Sequence, residues 1–197
     1  MRPAAPKVIW LLLGPNGAGK STYFDTRVAT RFRAEFVNAD RIQAQELAGS
    51  GVEGSYEAAR RAQARREELL REGRSFVTET VASHPSKLDL VITAQSLGYE
   101  VWVTLVYLET EDLAVERVQR RVRKGGHPVP EDKVRARFHR MAPIGVEAIL
   151  AADRGFVVDN SDSARPLRHV LVFDRKRLTW RCSDVPDWAN RLFGSYL

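Results

Sequence analysis

Nine residues, Gly14 to Thr22 (GPNGAGKST), hold three glycines, a lysine and two hydroxyls. That combination suits a polyanion. Glycines let consecutive backbone N–H groups turn toward one point and form an anion-binding nest. A helix starting just after the loop adds its positive N-terminus. Gly14, four intervening residues and then Gly19-Lys20-Ser21 match the phosphate-binding spacing G-x-x-x-x-G-K-[ST]. In that pattern the lysine reaches the β- and γ-phosphates and the following hydroxyl binds Mg²⁺. ATP and Mg²⁺ are therefore the expected ligands. Gly14, Pro15, Asn16, Gly17, Ala18, Gly19, Lys20, Ser21 and Thr22 would hold the nucleotide, with Ser21 on the metal.

Acidic residues downstream could act on what the phosphate is for. Asp40, in VNADRI, could accept the proton of a hydroxyl that attacks the γ-phosphate. It could also N-cap a helix beginning at Arg41, and the two roles are compatible. Asn38 is a weaker candidate for substrate contact. Glu79, in VTETVAS, could bind substrate hydroxyls, approach Mg²⁺ through water, or simply end a strand in solvent. Thr80 and Ser83 beside it are explained almost as well by turn chemistry.

A second basic stretch runs from Glu116 to Phe138. Arg117, Arg120, Arg121, Arg123 and Lys124 lead into Gly125-Gly126, and Arg135 and Arg137 follow. An arginine-bearing segment that closes over a triphosphate supplies charge in the transition state and excludes water. Helical spacing puts Arg117, Arg120, Arg121 and Lys124 on one face and Arg123 off it. Arg117 and Arg120 are taken as the catalytic arginines. His127 would be a polar contact of this lid, since no partner at metal-ligand spacing accompanies it. Asp159, Asn160 and Ser161 could touch the nucleotide base or substrate, or form a plain turn.

These residues need a frame, and the chain alternates strand-like and helix-like segments. Strands are expected at Lys7–Leu13, in EFVNAD ending at Asp40, at Ser75–Thr80, in YEVWVTLVYL and in GFVVDN. Helices are expected after the glycine loop, over Arg41–Gly73 with a break at GSGVEGS, from Pro85 to Leu97, from Thr110 as N-cap to Arg123, and from Glu131 to Leu150. Gly98 sits where a helix C-cap belongs. RHVLVFDRKRLTWRC reads as a hairpin, followed by a short helix near Asp187. The fold class is thus α/β, a three-layer P-loop sandwich with a mostly parallel central sheet and a C-terminal β-hairpin. Ligands of such sheets sit beyond the carboxyl ends of the strands, where Gly14, Asp40, Glu79 and Asp159 fall.

The 197 residues suit a single domain, residues 1–197, with a lid segment at about 117–137. The 44% hydrophobic content supports a core, while apolar runs such as Val8–Leu13 are too short to span a bilayer. One cysteine, Cys182, excludes an internal disulfide and fits a cytoplasmic protein without a signal peptide. The formal charge of +6 does not require nucleic acid as partner, because the densest basic stretch, Ala59–Arg74, is interleaved with Glu67, Glu68 and Glu72. That pattern is a solvated helix face with ion pairs. Trp10 and Trp102 read as core.

GPNGAGKST, NAD after the second strand, ET after the third and GGHPVPEDKVRARF together resemble the zeta-toxin kinase family, in particular its short bacterial members. The resemblance runs from about Lys7 to Asn160. It implies a P-loop kinase using ATP and Mg²⁺ to phosphorylate a sugar hydroxyl of UDP-N-acetylglucosamine. It places the phosphate lysine on Lys20, the general base on Asp40, an acidic substrate position on Glu79 and phosphate arginines between Arg117 and Lys124. A separate antitoxin protein is the partner that it implies. The third-strand motif departs from the family, reading ETVAS where a second threonine is commoner, and little length remains for a sugar-nucleotide pocket. A nucleotide-dependent ATPase or switch acting on a protein or nucleic acid is the rival expectation. It is disfavoured because VTLVYLE ends in Glu109 rather than in the aspartate of a strong Walker B strand. A catalytically dead binding module would not need Lys20, Ser21 and Asp40 intact.

Overall fold

In a computed structural model the chain is described for residues 6–47, 51–82, 84, 88–126 and 128–197. Ser83 and His127, both named above, lie outside the described residues. Among the described residues seven strands form one sheet: β1 (Val8–Leu13), β2 (Glu35–Val37), β3 (Phe76–Thr80), β4 (Glu100–Tyr107), β5 (Arg154–Asp159), β6 (Arg168–Asp174) and β7 (Arg177–Arg181). Their order is β2-β3-β1-β4-β5-β6-β7. The first five pair parallel, and β6 and β7 add the antiparallel hairpin. All six residues of β1 are buried, as a parallel strand covered on both faces requires.

The helices are α1 (Lys20–Tyr23), continued by a π-helical turn over Phe24–Val28, α2 (Ala39–Glu46), α3 (Gly51–Arg71), α4 (Asp89–Ser96), α5 (Glu111–Arg123), α6 (Glu131–Ala151) and α7 (Asp187–Phe193). Register sets the site. Leu13 lies beside Thr80 on one side and Leu105 on the other, and Tyr107 beside Asp159, so the carboxyl ends of β3, β1, β4 and β5 share one rim. The chain runs from β1 to β2 on one side and then from β3 across β1 to β4 on the other, and this reversal of strand order opens a crevice above the strand ends.

Most expected elements stand where periodicity placed them. Thr110 caps α5 by accepting the Leu113 N–H at 3.2 Å, and Gly98 takes φ 76° after α4. Trp10 is core, its indole donating to Thr104 at 2.9 Å. Arg60 and Arg61 pair with Glu57 along α3, and Arg65 grips Glu35 of β2 through two bonds of 2.7 Å.

Three boundaries differ. β2 stops at Val37, short of Asp40, because Asn38 rather than Asp40 is the N-cap of α2. Asn38 keeps extended backbone (φ −137°, ψ 120°), so its Oδ1 can accept the Arg41 N–H at 3.1 Å, whereas Asp40 already lies in the first turn. α3 begins at Gly51, so five of the seven residues of the expected break are helix, held to α2 by the bond from Ser55 to Gln43 at 3.1 Å. α4 is described from Asp89, and its expected start at Pro85 lies outside the described residues.

Candidate active site

The glycine loop follows β1 and is pressed against its neighbours. A Cβ on Gly14 would stand 2.1 Å from the Val106 carbonyl oxygen, so no other residue lets the loop cross β4 there. Gly19, at φ 92°, caps α1 without any side-chain hydrogen bond. The first-turn N–H groups of α1 are thereby left for a ligand.

Lys20 is buried, and its ammonium donates to the carbonyls of Gly14 and Pro15, each at 3.1 Å. It also lies 3.6 Å from Glu79 Oε1. Glu79 is not a strand end in solvent: its carboxylate accepts from Ser21 Oγ at 2.7 Å and from Asn38 Nδ2 at 2.8 Å. A half-buried charge is tolerated when its lone pairs are satisfied in this way. The carboxylate thus ties the phosphate loop, the end of β3 and the start of α2 together.

These groups line a cleft of about 1060 Å³. Asn16, Gly17, Gly19, Lys20, Ser21 and Thr22 form its floor. Gly14, Pro15 and Ala18 lie beneath and shape the loop instead, the first two as acceptors for Lys20. Asp40 lines the cleft from the first turn of α2, with its side chain 68% exposed and Oδ2 3.9 Å from Arg121 Nη1. Thr80 also lines the cleft, and its hydroxyl accepts the Ala82 N–H at 3.2 Å. Asn38 borders it too, but both polar ends of its side chain are engaged within the protein.

The opposite wall is basic. Arg117, Arg120, Arg121 and Lys124 all face the cleft and Arg123 does not, as helical spacing requires. Gly125, Gly126 and residues 128–130 continue this wall into Arg137 of α6. Burial, and then the like charge of Arg120, lowers the pKa of Arg117 below the ordinary arginine value. A cation held in that state gains most from an incoming anion. Arg135 is turned away. It bonds Glu111 at 3.0 Å, Asp112 at 2.6 Å and Glu131 at 2.8 Å, and so joins α6 to α5.

The Asp159–Ser161 turn is structural. Asp159 accepts from Ser161 Oγ at 2.6 Å and from the buried Trp188 indole at 3.3 Å. Ser161 in turn accepts the Glu109 N–H at 2.8 Å. Asn160 borders the cleft, yet its amide is spent on Ala18 O at 2.8 Å and the Leu167 N–H at 3.1 Å. Ser55, Tyr56 and Ala59 of α3 and Lys133 of α6 also line the cleft. Sequence reasoning missed them, since the first two lie in or beside a segment that reads as a helix break.

The donor set fits both expected ligands. An ammonium, uncapped helix amides and an arginine wall suit a triphosphate. The Ser21 hydroxyl beside the Glu79 carboxylate offers the hard oxygen ligands that Mg²⁺ takes, the remainder coming from phosphate and water. Among the described residues no group of three or more His, Cys, Asp or Glu could hold a metal unaided.

Residues 9–144 match the family model described as AAA domain. The chain belongs to that family. No curated protein matches it in sequence. Solved structures share its α/β architecture at low identity. A chain of the PezAT chromosomal toxin-antitoxin system of Streptococcus pneumoniae superposes with a TM-score of 0.67 at 16% identity, covering 98% of this chain and 79% of that one. The AvrRxo1-ORF1:-ORF2 complex with ATP gives 0.67 at 15%, covering 98% and 64%. A chain of the Pnkp1/Rnl/Hen1 RNA repair complex gives 0.57 at 15%, covering 71% and 45%. The present chain thus spans less than two thirds of the latter two. Among the described residues no helix is long and apolar enough to cross a membrane.

Proposed function

We propose that this chain is an ATP- and Mg²⁺-dependent small-molecule kinase of the zeta-toxin type, which transfers the γ-phosphate of ATP to a hydroxyl of a sugar nucleotide such as UDP-N-acetylglucosamine or of a related metabolite. One observation carries the reading: the carboxylate of Asp40 opens into the same cleft as Lys20 and Ser21, opposite the arginine face of α5. An anion-binding floor, a carboxylate free of strong partners and a cationic wall are the parts that phosphoryl transfer needs.

Loop amides and Lys20 hold the β- and γ-phosphates, and Ser21 with Glu79 holds the metal. A Mg²⁺ ion held by Ser21 and Glu79 would supply positive charge against the phosphates, and the bridging oxygen leaves with ADP as the acceptor oxygen bonds to phosphorus. Asp40 accepts the proton of the acceptor hydroxyl while that oxygen forms its bond to phosphorus. Arg117 and Arg120 stabilise charge on the transferring group. Within a single domain, the segment of about 117–137, hinged at Gly125-Gly126, acts as a lid that excludes water from the cleft. The reading extends to a cytoplasmic enzyme with a separate antitoxin protein as partner. The fold shared with the PezAT and AvrRxo1 complexes supports it.

The test is product formation. The protein is incubated with Mg-ATP and UDP-sugars, then nucleosides and NAD, and phosphorylated acceptor is sought by mass spectrometry. Phosphorylated metabolite is the expected result. ATP hydrolysis that appears only on adding DNA, RNA or a protein would replace this reading with that of a nucleotide-driven switch.

A further inference from the structure

We infer that Asn160 is a positioning residue that sets the direction of a phosphate-loop amide, rather than a contact for the nucleotide base; this rests on the nucleotide reading above. Asn160 is buried at the end of β5, 142 residues from the loop that it grips. Its Nδ2 donates to the Ala18 carbonyl at 2.8 Å, and its Oδ1 accepts the Leu167 N–H at 3.1 Å. Its own N–H donates to Tyr107 O at 3.0 Å, which anchors its backbone to β4.

The consequence follows from peptide geometry. Across a trans peptide the C=O and the next N–H point in opposite directions, and the described chain has no cis bond. Drawing Ala18 C=O toward Asn160 therefore fixes the Gly19 N–H in the opposite direction, away from that carboxamide, and Gly19 itself lines the cleft. Nests bind anions only while their amides converge, so a peptide free to flip would lose one phosphate donor. Two further features mark the grip as tight. A Cβ on Gly19 would lie 2.6 Å from Asn160 Nδ2, so side chain and loop are in direct contact. Leu167 is held at φ 53°, a conformation that residues with a Cβ keep only where surroundings impose it. The Asn160 carboxamide is thus a clamp between the β5–β6 connection and the phosphate loop.

The test uses Asn160→Leu, which is nearly isosteric, uncharged and unable to make either bond. Affinities for Mg-ATP and for magnesium tripolyphosphate, which has no base, are measured by calorimetry beside thermal unfolding. A positioning role weakens both ligands by a similar factor, about tenfold for one lost anion donor. Loss of ATP affinity with tripolyphosphate unchanged would assign Asn160 to the base and overturn the inference. A lowered Tm with both affinities intact would also overturn it, as a role in folding alone. Should Asn160→Leu not fold, Asn160→Ser carries the same comparison. In the unmutated chain, NMR should find the Asn160 carboxamide and Leu167 amide protons slow to exchange, and fast exchange would refute the clamp. If the unmutated protein binds neither ligand, the nucleotide reading itself fails.

Discussion

Replacing Asp40 by Asn separates catalysis from folding more cleanly than any other change in the cleft. The Asp40 side chain is 68% exposed, and its ion pair is the 3.9 Å approach to Arg121 Nη1. At that distance in water the attraction is about 1 kcal/mol before salt screening, and exposed pairs of this kind contribute roughly 0–1 kcal/mol. The isosteric amide also keeps the first-turn geometry of α2. Stability should therefore fall by less than about 1 kcal/mol, a shift of at most about 4 °C in Tm for a chain of this size. Loss of a general base costs about 10²–10⁴ in rate, or about 2.7–5.4 kcal/mol of barrier. Acceptor phosphorylation, Mg-ATP affinity and thermal unfolding, measured on one preparation, should show a large drop in kcat beside two small changes. A kcat within about threefold of the unmutated protein would show that Asp40 is not the base. A fall in ATP affinity as large as the fall in rate would assign Asp40 to nucleotide positioning instead.

Ser21→Ala removes the hydroxyl that bonds Glu79 at 2.7 Å, and should raise the Mg²⁺ concentration for half-maximal turnover about tenfold or more, read by titrating the metal at fixed ATP. Gly19→Ala places a Cβ at φ 92° and 2.6 Å from Asn160, and should cost about 2 kcal/mol, seen as a denaturant midpoint shift at unchanged m-value. His169 accepts or donates at 3.3 Å to Tyr23, and burial first, then Arg27 and Arg31, hold its pKa below 6.5. The folded state therefore binds fewer protons than the unfolded one, so its contribution is complete above pH 6.5 and is lost as pH falls toward the folded value. Unfolding curves between pH 7 and 5 should be flatter for His169→Gln, and an unchanged slope would show that another group sets it.

Much of the frame was legible because its signals are local. The glycine spacing dictates a loop of positive φ, the Thr110 cap opens α5 three residues before the N–H it accepts, and i, i+3, i+4 spacing alone sorted Arg117, Arg120, Arg121 and Lys124 from Arg123. Strand and helix alternation predicted a mostly parallel sheet with an antiparallel hairpin, and the strand pairing agrees, although the order of the strands was not legible. Local signals failed where two caps competed: Asn38 and Asp40 are both good N-caps, and the residue that keeps extended backbone after β2 takes the role.

The chemistry of the site had to wait for tertiary structure. That Glu79 meets Ser21 across 58 residues, and Lys20 beside it, depends on β3 pairing with β1 in a register that ends both strands together. Arg135 and Arg137 are two positions apart on one helix, yet one points to Glu111 and Asp112 and the other into the cleft. Asn160 read equally well as a base contact or as a turn until β5 was placed two strands from the glycine loop. The chain by itself determined which residues could bind a polyanion and which faces they occupy, because dihedral preference and helical period act over a few residues. Which of those groups touch was decided by strand register and helix packing, where sequence separation no longer measures distance.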